Sequence, residues 1–369
     1  MTRIQRIIAL LVALGMATLF AGTTGADTHT WNGGGGDASW TNGANWDIGV
    51  PVANDLLHFG GTVQPTSTND FPAGTQFNEL RFKSTADADF ELSGNSINLG
   101  GNFYVIDNGA GTFTQTINNA LVLVGANRQL SPAGDETLVV NGVVSDGVET
   151  NDVVKLGTGT LKLTTNNTYD QLRLKAGTVQ LTTGGAAGQG DRNDQYGDGD
   201  DDVTVEFVGG SDVTLLPVYW VGDPDTAGLN DTGGVVFRSS LTGGAKAVVS
   251  GNLAADADPL YERTVTLAGD STAENEVSGV LRNNNNAPIS LVKTNGGKWL
   301  LSGSNTYTGT TDVVEGTLQF EKSGSLYGAD QSKWTKSYIT VRSNATLAVK
   351  TWTTFGWGPD DIGTVVSNL

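Results

Sequence analysis

Hydrophobic residues in this chain fall at every second position of short runs, and the runs recur. Leu161 and Leu163 alternate with Thr160, Lys162 and Thr164, and Val179 and Leu181 alternate with Thr178 and Gln180. A period of two puts one set of side chains on each face of a strand, so the Leu and Val positions are expected inside and Lys162 and Gln180 outside. Further strand-like runs lie at 79–82, 89–92, 103–106, 120–124 and 137–140, separated by clusters of Gly, Asn and Asp. Beyond residue 26 no stretch sustains a 3.6-residue apolar period, and 51 glycines break the chain too often for long helices.

One unit of this pattern occurs twice. Residues 153–181 read VVKLGTGTLKLTTNNTYDQLRLKAGTVQL and residues 291–320 read LVKTNGGKWLLSGSNTYTGTTDVVEGTLQF. With one residue inserted, the copies share Lys155/Lys293, Gly159/Gly297, Leu163/Leu301, the Asn-Thr-Tyr at 167–169 and 305–307, Gly177/Gly316 and Gln180/Gln319. A unit this short cannot bury an apolar face alone, so it stacks on its neighbours. Antiparallel hairpins meet the same alternation, but a repeated strand, turn, strand unit fits better with each strand pairing with its equivalent one circuit later. The expected fold is therefore all-β, a parallel β-helix (β-solenoid) with an irregular N-terminal cap. Circuits of 20 to 25 residues would give roughly 15 coils and a rod on the order of 70 Å. The interior is expected to hold Leu161, Leu163, Val179, Leu181, Leu301, Val313, Leu318 and Phe320. Asn167, Asn305, Gly177 and Gly316 fall at corners, where positive φ is expected.

The Val-Lys-x-Gly-x-Gly-x-Leu strand, the Asn-Thr-Tyr turn and the Gly-Thr-Leu-Gln strand resemble the autotransporter-associated β-strand repeat, also called the passenger-associated transport repeat. The resemblance is close over 151–188 and 287–349 and looser around 103–118. The opening at 30–59 is similar to the leader that precedes such repeats in secreted bacterial proteins. The resemblance implies an extracellular β-helix that aids secretion and folding of a long surface protein, on the outer membrane of a Gram-negative-type cell or released from it. It implies no reaction. The second copy departs from the pattern at Asn295, where Gly is expected, and at Trp299 and Leu300.

The leader and the charge narrow the picture. Residues 1–26 combine Arg3 and Arg6, a short apolar core from 7 to 20, and small residues at 24–26, so they read as a cleaved secretory signal peptide. No later apolar stretch reaches membrane-spanning length. The formal net charge is −18, and it becomes −20 once Arg3 and Arg6 leave with the signal. Such a surface disfavours nucleic acid, whose phosphates demand a positive footprint. Cysteine is absent, which excludes disulfide staples and thiol chemistry.

Residues 27–60 form the Trp, Gly and Asn-rich cap, with Trp31, Trp40 and Trp46 expected to plug the first coil. Flat indoles stacking on sugar rings are the alternative. The solenoid is expected over 61–369, interrupted by an acidic loop at 189–202 in which Asp191, Asp194, Asp198, Asp200, Asp201 and Asp202 crowd among glycines. It reads as a solvated, dispensable excursion; oxygen-rich clusters of this kind also hold calcium, although its spacing matches no known calcium loop. The tail, DDIGTVVSNL, reads as stopping in mid-element, so a truncated chain is expected.

Catalytic chemistry finds little to work with. His29 and His58 are the only histidines, the second within the apolar run 56–59 and expected to be packed or edge-exposed rather than catalytic. No Ser-His-Asp set, zinc site, phosphate loop or dinucleotide motif is present. Asp200, Asp201 and Asp202 are the carboxylates to nominate for glycoside cleavage, but they stand without the partner elements of β-helix hydrolases. No catalytic, cofactor-binding or metal-binding residue is assigned, and no cofactor is expected. The expected function is a structural or adhesive stretch of an exported, autotransporter-passenger-like surface protein, non-catalytic, with surface glycans or other cells as partners. The alternative is a carbohydrate-binding or polysaccharide-degrading β-helix protein.

Overall fold

The computed structural model describes residues 25–107, 109, 111–188, 194–197, 202–216, 219–222, 233–255, 261–284, 287–351 and 356–369. Residues 1–24 of the expected signal peptide lie outside these residues. Short strands assemble into sheets of 13, 12 and 6 strands, each strand lying in parallel beside one from the next circuit. The fold is a parallel β-solenoid, as the repeated strand, turn, strand unit predicted, with 8% helix. From residue 203 the chain visits the second, third and first sheets in turn, as Val203–Gly209, Val213–Leu215 and Tyr219–Val221, and then returns to the second. Nearer the N-terminus Thr75–Phe82 and Ile97–Val105 pair as long strands whose register shifts between Phe77 and Glu79. A bulge of that kind bends a strand.

Circuit length varies more than the sequence implied. Thr160 lies beside Thr178, a circuit of 18 residues, whereas Val203 lies beside Val235, a circuit of 32. Strand pairing stays in register in both circuits, so the ladder tolerates the difference in length. The 12 strands of the second sheet make a stack of roughly 50 Å at the usual strand spacing, shorter than the sequence estimate.

Inward positions are filled with aliphatic and aromatic side chains. Leu161, Leu163, Val179, Leu181, Leu301, Val313, Leu318 and Phe320 are all fully buried, while Lys162 and Gln180 are partly exposed on the outer face. Trp299 also points inward and donates its indole N–H to Ala268 O at 3.0 Å. Leu300, its outward neighbour, is covered as well, at 2% exposure. The second copy therefore buries both faces of this strand.

Three expectations need correction. Pro359–Asn368 is an α-helix, with Pro at its start, Asp360 and Asp361 in its first turn and Val365 buried. Its apolar residues at 362, 365, 366 and 369 carry the helical spacing that a chain-wide search for long periods passes over. The acidic segment is not wholly a loop: Asp194–Tyr196 is a strand of the first sheet, between Arg173–Leu174 and Tyr219–Val221, and Tyr196 is fully buried. Asp191, Asp198, Asp200 and Asp201 lie outside the described residues. Finally, Asn167 and Asn305 are absent from the positive-φ positions, whereas Gly177 (φ 71°) and Gly316 (φ 72°) adopt that conformation.

Candidate functional surfaces

The two repeat copies share three interior devices at their corners. The first is a lysine. Lys155 and Lys293 stand two residues after Val153 and Leu291, so strand parity turns them inward, and both are fully buried. Lys155 Nζ donates to Leu156 O, Gly157 O and Ala176 O at 3.1, 2.6 and 2.9 Å. Lys293 Nζ does the same to Thr294 O, Asn295 O and Glu315 O at 2.6, 2.6 and 3.2 Å. Each ammonium thus ties its own corner to the corner one coil later. Burial pushes Lys155 down to about 7 and Lys293 down to about 8. The nearby Glu315 and Asp270 charges oppose the shift at Lys293.

The second device is an asparagine. Asn167 Oδ1 accepts from Val144 N of the preceding coil, and its Nδ2 donates to Ala186 O of the following one. Asn305 repeats this with Leu281 N and Ser325 O. Buried backbone groups at the corners have no strand partner, and one side chain satisfies two of them. The third device is the close approach of Gly177 and Gly316. A Cβ at Gly177 would meet three carbonyl oxygens of the previous corner at 2.6–2.7 Å, and one at Gly316 would meet Asn295 O at 2.4 Å. Asn295 takes φ 58°, the conformation of its counterpart Gly157 at φ 78°. Asparagine tolerates that region, so the departure keeps the corner geometry.

The N-terminal tryptophans are spent on packing. Trp31, Trp40 and Trp46 are at most 3% exposed and meet edge to face, with centroids 5.2 Å apart for Trp31–Trp46 and 6.2 Å for Trp40–Trp46. Their indole N–H groups donate to Gln64 O, Ser67 Oγ and Trp40 O. No face is free to stack on a sugar, so these three residues form the plug and not the carbohydrate platform. His29 is part of the same cap: its Nε2 is 2.9 Å from Asp55 Oδ2 and its Nδ1 2.9 Å from Gly49 O.

A polar cluster sits on the outer face of the first sheet. Thr28–Trp31, Leu56–Phe59, Thr75–Phe82 and Ile97–Val105 place His58, Arg81 and Tyr104 side by side on successive strands. Glu79 Oε1 lies 2.7 Å from His58 Nε2 and 2.8 Å from Arg81 Nε, and the Arg81 guanidinium stacks 5.0 Å above the Tyr104 ring. Desolvation holds His58 below the usual histidine range, against the pull of Glu79. Next to this cluster is a cleft of about 250 Å³ lined by His58, Arg81, Lys83, Ser84 and Ile106. The sequence placed His58 as a packed or edge-exposed residue; its charged neighbours are separated from it by more than twenty positions, and only the stacking brings them together.

The nominated carboxylates give no catalytic pair among the described residues. Asp202 Oδ1 accepts from Gly234 N at 2.8 Å and secures a backbone turn. Among the described residues no group of three or more His, Cys, Asp or Glu side chains converges as a metal site. No described helix is long and apolar enough to cross a membrane.

Comparison with known proteins agrees with the corner geometry. Residues 153–181 and 291–320 match the model of the passenger-associated-transport-repeat. The Adhesin BmaC autotransporter of Brucella suis biovar 1 (strain 1330) is 31% identical over 117 residues, which is 31% of this chain but 3% of that protein. This chain therefore spans a small fraction of the relative. No solved structure matches.

Proposed function

We infer that the chain, which carries two passenger-associated transport repeats in one parallel solenoid, is autotransporter-passenger-like. From that premise we propose that it is an exported, non-catalytic stretch of a bacterial surface protein that holds an adhesive face away from the cell on a stiff rod. The observation that carries this reading is the reuse of one corner design, Lys155 with Asn167 and Lys293 with Asn305, at two points of a continuous stack. A stack built from nearest-neighbour contacts can assemble one coil after another as the chain emerges outside the cell. The likeness to an adhesin supports the adhesive role. The commitment of both histidines to carboxylates of the scaffold supports the non-catalytic one.

The test is made on the source bacterium. Protease added to intact cells should cleave the chain, and deleting its gene should lower attachment of the cells to host-cell monolayers. Retention of the chain inside protease-treated cells would overturn the surface reading. Unchanged attachment would overturn the adhesive one, and hydrolysis of a polysaccharide panel by the purified chain would overturn the non-catalytic one.

A further inference from the structure

We propose that the cleft lined by His58, Arg81, Lys83, Ser84 and Ile106 binds a terminal sugar bearing a single carboxylate; this rests on the adhesive reading and names its ligand class. The cleft is positive on a chain of net charge −18. Arg81 pairs with one acid, Glu79, which also holds His58. Arg81 is fixed from two sides, with Nη2 3.1 Å from Glu79 Oε2 and its plane over Tyr104. A guanidinium held this way offers its remaining N–H groups without further ordering cost, which suits a planar carboxylate. Lys83 has no carboxylate partner among the described residues, and its ammonium supplies the second charge. Ser84 adds a hydroxyl and Ile106 an apolar wall, the combination that a sugar ring needs for its polar edge and its C–H face.

Size and charge select the ligand further. About 250 Å³ is below the roughly 300–1,000 Å³ of sites that enclose a drug-sized molecule, so the cleft admits one end residue while the rest of a glycan lies outside. Charges are screened beyond about 8 Å at physiological salt. A single carboxylate in the cleft therefore senses Arg81 and Lys83, whereas a polyanion reaching beyond that distance also meets the net negative charge of the chain.

The purified chain is titrated with 3′-sialyllactose, lactose, acetate and a heparin fragment, by calorimetry and saturation-transfer NMR. Sialyllactose is expected to bind saturably and lactose not at the same concentrations. Lys83→Met should weaken binding about tenfold, the loss of one charged hydrogen bond, while Lys83→Arg retains it. Lys83 is partly exposed, so the thermal midpoint should not move, and a change in binding then reads the site. Equal binding of lactose, equal affinity for acetate, tighter binding of heparin, or an unchanged affinity in Lys83→Met would each overturn the assignment. Cells that attach normally with Lys83→Met would refute this cleft and leave the adhesive reading standing. Binding in solution by a chain whose deletion leaves attachment intact would refute the adhesive reading alone.

Discussion

Lys155 and Lys293 occupy the same place in two copies of one repeat, yet they close different corners of the solenoid. Lys155 ends Val153–Lys155 of the first sheet and precedes Thr160–Leu163 of the second; Lys293 ends Ile289–Lys293 of the second sheet and precedes Lys298–Leu301 of the third. Both ammonium groups nonetheless hold three carbonyls in the same pattern. The repeat therefore specifies a corner with its two flanking strands, and the faces of the solenoid are interchangeable to it.

The buried lysines make stability depend on pH. Lysine titrates near 10.4 in an unfolded chain, against about 7 for Lys155 and about 8 for Lys293 in the fold. Within those windows the unfolded chain binds more protons than the folded one. Stability should thus rise with pH, at about 1.4 kcal/mol per unit for each lysine, and be flat below them. Urea midpoints between pH 7 and 9.5 should show the rise, and a Lys155→Met, Lys293→Met double variant should lack it.

Two tyrosines act in the opposite sense at higher pH. Burial pushes Tyr327 up to about 12 and holds Tyr307 well above the usual tyrosine range, and both bond Thr311 Oγ1, at 2.9 and 2.8 Å. Above about pH 10, where free tyrosine ionises, the unfolded chain releases protons that the fold retains. This contribution is complete below about pH 10 and is lost as pH climbs towards 12. Tyr327→Phe should make the alkaline fall in the urea midpoint shallower.

Leu163 is fully buried between Val140 and Leu181 of adjacent coils. Leu163→Ala should cost about 2–5 kcal/mol through the cavity it leaves. Hydrogen exchange should quicken in the neighbouring coils and hardly change at the ends of the rod, because contacts are nearest-neighbour. Protection lost evenly along the chain would contradict this.

Removing residues 189–202 should destabilise the chain despite the acidity of the segment. The deletion takes out the Asp194–Tyr196 strand and the buried Tyr196, whose ring lies 6.3 Å from that of Phe237. A loss of about 3–5 kcal/mol is expected on the scale of large aromatic deletions, read as a lower urea midpoint. Tyr196→Ala alone should reproduce most of it. An unchanged midpoint would return the segment to the solvated-loop reading.

Alternation at Leu161, Leu163, Val179 and Leu181 was enough to give strand facing, because a period of two leaves each side chain one choice of face. The recurrence of 153–181 at 291–320 was enough to give a stacked fold, because neither copy can bury its face alone. Even the inward turn of Lys155 was legible, since it shares parity with Val153, but a charged residue carries no sign of the carbonyls that will receive it. Asn167 and Asn305 show the limit most clearly. Their type marked a corner, yet the positive φ went to Gly177, Gly316 and Asn295, and the asparagines instead bridge coils on either side. Tertiary stacking alone decided that role, as it decided the burial of Tyr196 and the meeting of His58, Glu79, Arg81 and Tyr104. In a solenoid, facing within a strand is a local property, whereas strand pairing between coils joins residues 18 to 34 positions apart.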